Sequence, residues 1–147
     1  MKKITIALGT DHRGFALKEF LKRQVMVGDY ALNWLDCGAF DAERSDYPVF
    51  SSLVCENIAT EQASLGVLLC GSGIGMSIAA NRFDGIYAGL VWNEDIARLA
   101  REDDNCNVLV VPADFCDEAL ALAMLHAWLH AEFKGGVYAE RLALTDD

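Results

Sequence analysis

The chain has 147 residues, a hydrophobic fraction of 53% and only two prolines, which excludes a disordered chain and suits one domain with its own core. Its formal net charge of −10 excludes the basic face that a nucleic-acid surface needs. For an anionic ligand, local groups must overcome that field.

Five cysteines, Cys37, Cys55, Cys70, Cys106 and Cys116, stand without a C-x-x-C pair or a Cys/His ligand spacing, so no metal site is expected. No apolar run is long enough for a bilayer, and Asp11 and His12 interrupt the first one too early for a signal peptide. We expect a cytoplasmic protein with no membrane partner.

Strand and helix patterns alternate along the chain. Lys3–Gly9 predicts a strand, and Gly14–Val27 an amphipathic helix with Phe15, Phe20 and Leu21 inward. Ala31–Asp36 predicts a second strand, followed by a polar loop through Asp46. Pro48 opens a helix to about Glu61, and Gly66–Cys70 is a third strand. Ser77–Asn81 reads as the start of a helix, and Ile86–Val91 is the fourth strand. A helix over Asn93–Glu102 leads to a fifth strand, Asn107–Val111, which Pro112 ends. A long helix over Phe115–Ala131 follows, and the tail from Gly136 is helical.

Five β-α units with no repeat or linker predict one domain, residues 1–147, built on a five-stranded parallel sheet covered on both faces. A strand order of 2-1-3-4-5 would bring the loops after strands one and three side by side, where such sheets bind ligands. The run ALALAML at Ala119–Leu125, with Trp128 and Leu129, is apolar on most sides. We expect a subunit interface there, the alternative being a central core helix.

The most chemical stretch is Gly66–Gly75, GVLLCGSGIG, an apolar run that ends in Cys70 and enters a glycine-rich loop. A thiol there lies near a helix N-terminus, where partial positive charge favours the thiolate. The alternative is a buried cysteine packed as a small hydrophobe. Gly71, Gly73 and Gly75 favour the first reading, because glycine is costly unless the chain turns sharply or meets a ligand. The loop is one residue short of G-x-G-x-x-G, follows the third strand, and lacks G-K-[ST]. What remains is an oxyanion or phosphate nest preceded by a thiol.

Four segments resemble the type B ribose-5-phosphate isomerase and galactose-6-phosphate isomerase family. They are GTDHRGFALKEFL (Gly9–Leu21), DCGAF with RSDYPVF (Asp36–Phe50), GVLLCGSGIGMSIAANRFDGIYAGL (Gly66–Leu90) and NCNVLVV (Asn105–Val111). The resemblance covers nearly the whole chain. It implies a Rossmann-like three-layer fold and a cofactor-free, metal-free aldose–ketose isomerase. It also implies a homodimer or dimer of dimers whose active sites are each built from two subunits.

Carried over from the family, Cys70 is the base that moves a proton between C1 and C2 through a cis-enediolate. Ser72 and the loop amides of Gly71, Gly73, Ile74 and Gly75 would stabilise the enediolate oxygen. Asp11 would serve substrate hydroxyls or the O1/O2 proton, its alternative being a loop cap. His12 and Arg141 match phosphate-holding positions, although Arg141 also reads as a solvated tail residue. Tyr47 stands in a loop that could face substrate or pack in the core.

The departures from the family cluster. Its ring-opening His and the following Asn are here Asp103 and Asp104; Asp103 would then be a replacement acid–base group, and Asp104 a substrate contact. An arginine expected to reach the neighbouring subunit's phosphate is here Asp114, and one of two tail arginines is Val137. Each charge-assisted bond to phosphate contributes roughly 1.5–3 kcal/mol, so phosphate binding should be severely weakened. Arg13 and Arg44 are the nearby residues that could restore part of it. Three readings stay open: an isomerase of a short or weakly charged sugar, the catalytic half of a hetero-oligomer completed by a paralogous subunit, and a non-catalytic sugar-binding relic.

Overall fold

Strands and helices stack in three layers in the computed structural model, which describes residues 1–146. The strands are β1 (Lys2–Thr10), β2 (Met26–Val27), β3 (Tyr30–Asp36), β4 (Leu65–Cys70), β5 (Ala88–Leu90) and β6 (Val108–Pro112). The helices are α1 (Phe15–Lys22), α2 (Tyr47–Ala59), α3 (Ile74–Ala80), α4 (Glu94–Glu102), α5 (Glu118–His130) and α6 (Val137–Thr145). Short 3-10 turns at His12–Gly14 and Ala113–Phe115 follow β1 and β6.

β4 and β6 are buried along their whole length, which is why they read as unbroken apolar runs. Their side chains alternate between two cores. Ile6, Leu8, Val67, Leu69, Leu109 and Val111 face α1, α4 and α5, while Ala7, Leu68, Cys70, Val108 and Val110 face α2 and α3. The fold is therefore the expected Rossmann-like α/β class.

The sheet has six strands in the order β2-β3-β1-β4-β6-β5, parallel except for β2. Numbering only the five parallel strands, this is 2-1-3-5-4 and not 2-1-3-4-5. The fully buried β6 takes the inner place, and the three-residue, half-buried β5 takes the edge. The extra strand comes from the end of the expected first helix. α1 stops at Lys22, because Gly28, at φ +56°, turns Val27 back against Tyr30 in a two-residue hairpin. At the other edge the Asn81 side-chain amide accepts from the Ala88 N–H (2.8 Å) and donates to the Ala88 carbonyl (2.9 Å).

The apolar helix α5 finds its cover inside the chain, against the expectation of an interface. Ala121, Met124, Leu125, Trp128 and Leu129 are buried in the α1/α4 core, and the Trp128 indole donates to the Cys106 carbonyl at 3.0 Å. The open apolar face lies elsewhere, on Val49 and Leu53 of α2 and Ile74 and Ile78 of α3. Among the described residues, no helix is long and apolar enough to cross a membrane.

One polar group sits where the helix pattern predicts a hydrophobe. Lys18 is fully buried on α1 and reaches both oxygens of Asp36 at 2.7 and 2.8 Å. Its ammonium also lies 5.5 Å from the Phe15 ring centroid and 5.2 Å from that of Phe40. Asp36 in turn accepts from the Gly38 amide at 2.9 Å, and Gly38 and Ala39 exchange backbone bonds with Thr10 at 2.8 Å each. Burial raises the Asp36 pKa, but Lys18, the Gly38 amide and Lys22 outweigh it and hold it below its ordinary range.

Because the folded pKa is depressed, this carboxylate stabilises the fold fully above its ordinary value and loses that effect as pH falls from there through the lower folded value. Lys18→Met should cost about 2–4 kcal/mol near neutrality, since Asp36 then keeps Lys22 as its sole counter-ion, beside the Gly38 amide. Urea titrations at about pH 7 and about pH 3 should show the deficit shrinking in acid.

Candidate active site

The parallel register sets Thr10 of β1 opposite Leu69 of β4, and Cys70 of β4 opposite Pro112 of β6. The carboxyl ends of the three central strands therefore end level, and the loops that leave them line an open cavity of about 380 Å³. Asp11, His12 and Arg13 line it from the β1 loop, Cys70, Gly71, Ser72 and Gly75 from the β4 loop, and Asp114 from the β6 loop. Tyr47, the first residue of α2, closes it from the fourth side.

Asp11 is buried and caps the turn that follows, its Oδ1 accepting from the Arg13 amide at 3.0 Å. It is thus both a cap and a cavity wall. His12 Nδ1 accepts from the Ser45 amide at 3.2 Å, so the neutral ring carries its proton on Nε2. Ser72 Oγ accepts from the Ile74 amide at 3.2 Å. That hydrogen bond occupies one of the four amides expected to meet an enediolate, and the Ile74 side chain is exposed; neither Ile74 nor Gly73 lines the cavity.

The glycines have separate reasons. A Cβ on Gly75 would stand 2.7 Å from the Tyr47 ring, so this glycine admits the tyrosine to the cavity. A Cβ on Gly71 would stand 2.9 Å from Asp114 Oδ2 and 3.3 Å from Arg13 Nε. Gly73 turns the chain at φ +80°, and a Cβ there would stand 2.4 Å from Leu90 Cδ1.

Cys70 is the cysteine that faces this cavity, with only 4% of its surface exposed. Burial pushes the thiols of Cys55 and Cys106 up to about 11 and about 12, and that of Cys37 upward. Burial and then Asp117 push Cys116 up to about 11. Those four are packing residues outside the cavity.

Arg13 and Asp114 join across the cavity mouth. The guanidinium Nε donates to Asp114 Oδ1 at 3.3 Å, and Nη2 donates to Oδ2. That hydrogen bond and the carboxylate's charge raise the Arg13 pKa. Asp114 thus lines its own chain's cavity, and Arg13 is committed to it. Behind the pair lies an adjoining groove of about 480 Å³, lined by Arg13, Ala16, Leu17, Ala113, Cys116, Asp117, Glu118 and Ala119. Arg44 lies exposed in the β3–α2 loop and does not line the cavity.

The remaining expected residues form a separate group. Asp103 and Asp104 follow α4 and precede β6, so they lie at the amino end of the sheet, opposite Cys70. Asp103 Oδ1 pairs with Lys134 Nζ at 3.0 Å. Lys134 lies 5.0 Å from the Tyr138 ring centroid, and the Arg141 guanidinium 5.5 Å from the same ring. Within one chain, neither Asp103, Asp104 nor Arg141 meets Cys70. Lys134, unremarkable in sequence, is the residue that ties this group together.

A protein-family model described as ribose/galactose isomerase matches residues 6–144. The chain is 37% identical to ribose-5-phosphate isomerase B of Escherichia coli (strain K12), over 97% of this chain and 93% of that one. It superposes on a ribose 5-phosphate isomerase of Thermotoga maritima with a TM-score of 0.91, at 38% identity and 97% coverage of each chain. The Trypanosoma brucei type B ribose 5-phosphate isomerase gives a TM-score of 0.92 at 32% identity, covering 99% of this chain and 98% of that one.

The loop geometry yields a stability comparison. Gly73→Ala should cost about 1–3 kcal/mol from strain plus collision with Leu90. Gly85→Ala, at φ +79° with open space around it, should carry the strain alone and cost less. Chemical denaturation of the two variants checks the difference.

Proposed function

The chain belongs to the ribose/galactose isomerase family, and on that premise we propose that it interconverts an aldose and a ketose of the sugar-phosphate class, with Cys70 as the base. The observation that carries this reading is the convergence of Cys70, Asp11, His12 and Ser72 on one cavity at the carboxyl ends of β1 and β4.

In the forward direction the Cys70 thiolate takes the proton from C2 of the open-chain aldose, leaving a cis-enediolate. The same thiol returns the proton to C1, while a proton passes from O2 to O1 through Asp11. Hydrogen is only relocated within the substrate, so the step consumes no oxidant or reductant. Ser72 and the loop amides not already bonded face the developing oxyanion. The Nε2–H of His12 is a donor for a polar group at the substrate's far end. The losses of cations at Asp114 and Val137 support a short or weakly charged sugar over ribose 5-phosphate itself.

Two features support a site shared between copies, as a homodimer or dimer of dimers. Asp103, Lys134, Tyr138 and Arg141 gather at the end of the chain away from Cys70. The exposed apolar face of α2 and α3 begins beside the glycine loop. A second copy seated on that face would cover it and bring its own Asp103 group to the cavity.

Cys70→Ala should lower kcat by about a hundredfold or more, the usual contribution of a positioned base. Assays with ribose 5-phosphate, erythrulose phosphates and free pentoses check this; turnover unchanged by the substitution overturns the assignment. Sedimentation equilibrium should give a species of at least two 16.1-kDa chains, and a lone chain with full activity would remove the shared site.

A further inference from the structure

We propose that Lys134 of a second copy holds the phosphate of a sugar-phosphate substrate at the cavity, with Arg141 of the same copy beside it. The inference rests on the shared isomerase site proposed above. It adds the residue that meets the substrate's charged end.

The cavity of one chain lacks such a residue. Among the described residues, Arg13 is the only lysine or arginine lining it, and Arg13 is paired with Asp114. Asp11 lines the same space, in a chain whose net charge is −10. A phosphate dianion there meets His12 and the loop amides but no unpaired cation.

The cations stand at the other end of the sheet, around Tyr138. The Lys134 amide donates to the Glu102 carbonyl at 2.9 Å, which ties the segment after α5 to the end of α4. Its half-exposed side chain places Nζ 3.0 Å from Asp103 Oδ1 and 5.0 Å from the Tyr138 ring centroid. The Asp103 carboxylate raises the Lys134 pKa, so the ammonium stays charged. An ammonium has three N–H groups, more than that one contact uses. Arg141 lies 5.5 Å from the same centroid, and among the described residues it pairs with no carboxylate.

One ring thus carries two cations, and Asp103 is the carboxylate paired with either. Lys134 supplies a cation to this segment where Val137 supplies none. A point charge beside a planar fork suits a terminal phosphate, and a hydroxyl end would leave both cations without a counter-charge. A second copy seated on the α2/α3 face brings this pair to a cavity that has the thiol but no free cation.

Three measurements on the full chain test this. Inorganic phosphate, titrated by calorimetry, should bind Lys134→Gln about tenfold or more weakly than the wild type, and Lys134→Arg should keep most of the affinity. With ribose 5-phosphate or the erythrulose phosphates, Lys134→Gln should raise KM about tenfold while kcat holds, and KM for the unphosphorylated sugar should not move. Co-expressed Cys70→Ala and Lys134→Gln chains should regain, at low substrate, activity that neither shows alone, because a mixed pair holds one intact site. Thermal melts confirm that each variant is folded. Phosphate affinity unchanged in Lys134→Gln overturns the proposal, as does an equal rise in KM for the unphosphorylated sugar or a mixture that regains nothing. A wild type that turns over unphosphorylated sugars alone also overturns it and leaves the isomerase reading standing. If no sugar is turned over, the isomerase reading fails, and the phosphate titration still decides whether Lys134 binds the dianion.

Discussion

Thr10 pairs opposite Leu69, and the cavity depends on that register. β1 and β4 are buried neighbours, so a slip of one residue would send each strand's core side chains to the wrong face. With the register held, Asp11–Arg13 and Cys70–Ser72 leave the sheet at the same level. Supporting contacts converge on the same point. Gly14 packs so closely that a Cβ there would lie 2.3 Å from Thr10 Oγ1 and 2.7 Å from Leu69 Cβ. On the other side Gly38 and Ala39 hold the Thr10 backbone, and the buried Lys18–Asp36 pair holds Gly38. A charge pair far from the thiol thus positions the loop that carries Asp11.

The electrostatics follow one theme. A chain with a net charge of −10 commits its interior and cavity cations to named carboxylates, Lys18 to Asp36 and Arg13 to Asp114. Lys134 is spent on Asp103 in the same way. Little free positive charge is left at the cavity. The polar side chains that line it beside the Arg13–Asp114 pair are His12, Ser72 and Asp11.

Much of this was legible in the sequence, for definite reasons. Fully buried parallel strands leave continuous apolar runs, and a thiol followed by spaced glycines marks the β4 loop that lines the cavity. The order of the last two strands was not legible, because two short apolar runs carry no label for which is inner. The hairpin at Gly28 was absorbed into a helix pattern that Lys22 in fact ends. Lys18 was invisible as a core residue, since its burial depends on Asp36, eighteen positions away. The groups of Asp103 and Arg141 matched family positions, yet one chain does not bring them to the thiol. Asp114 was read only as a lost arginine; its pairing with Arg13 spans 101 residues and leaves no local trace.

Both rims of the sheet are partly covered. On one side β2 covers the start of β3, and the Leu32 amide bonds the Val25 carbonyl just beyond it. On the other, β5 is three residues long, and the Asn81 amide occupies the outward N–H and carbonyl of Ala88 as a neighbouring strand would. Each rim thus offers only a short stretch for edge-to-edge growth, the usual route by which a sheet rich in Val, Leu and Ile aggregates. Pairing between copies through the backbone is thereby disfavoured in an acidic, apolar chain.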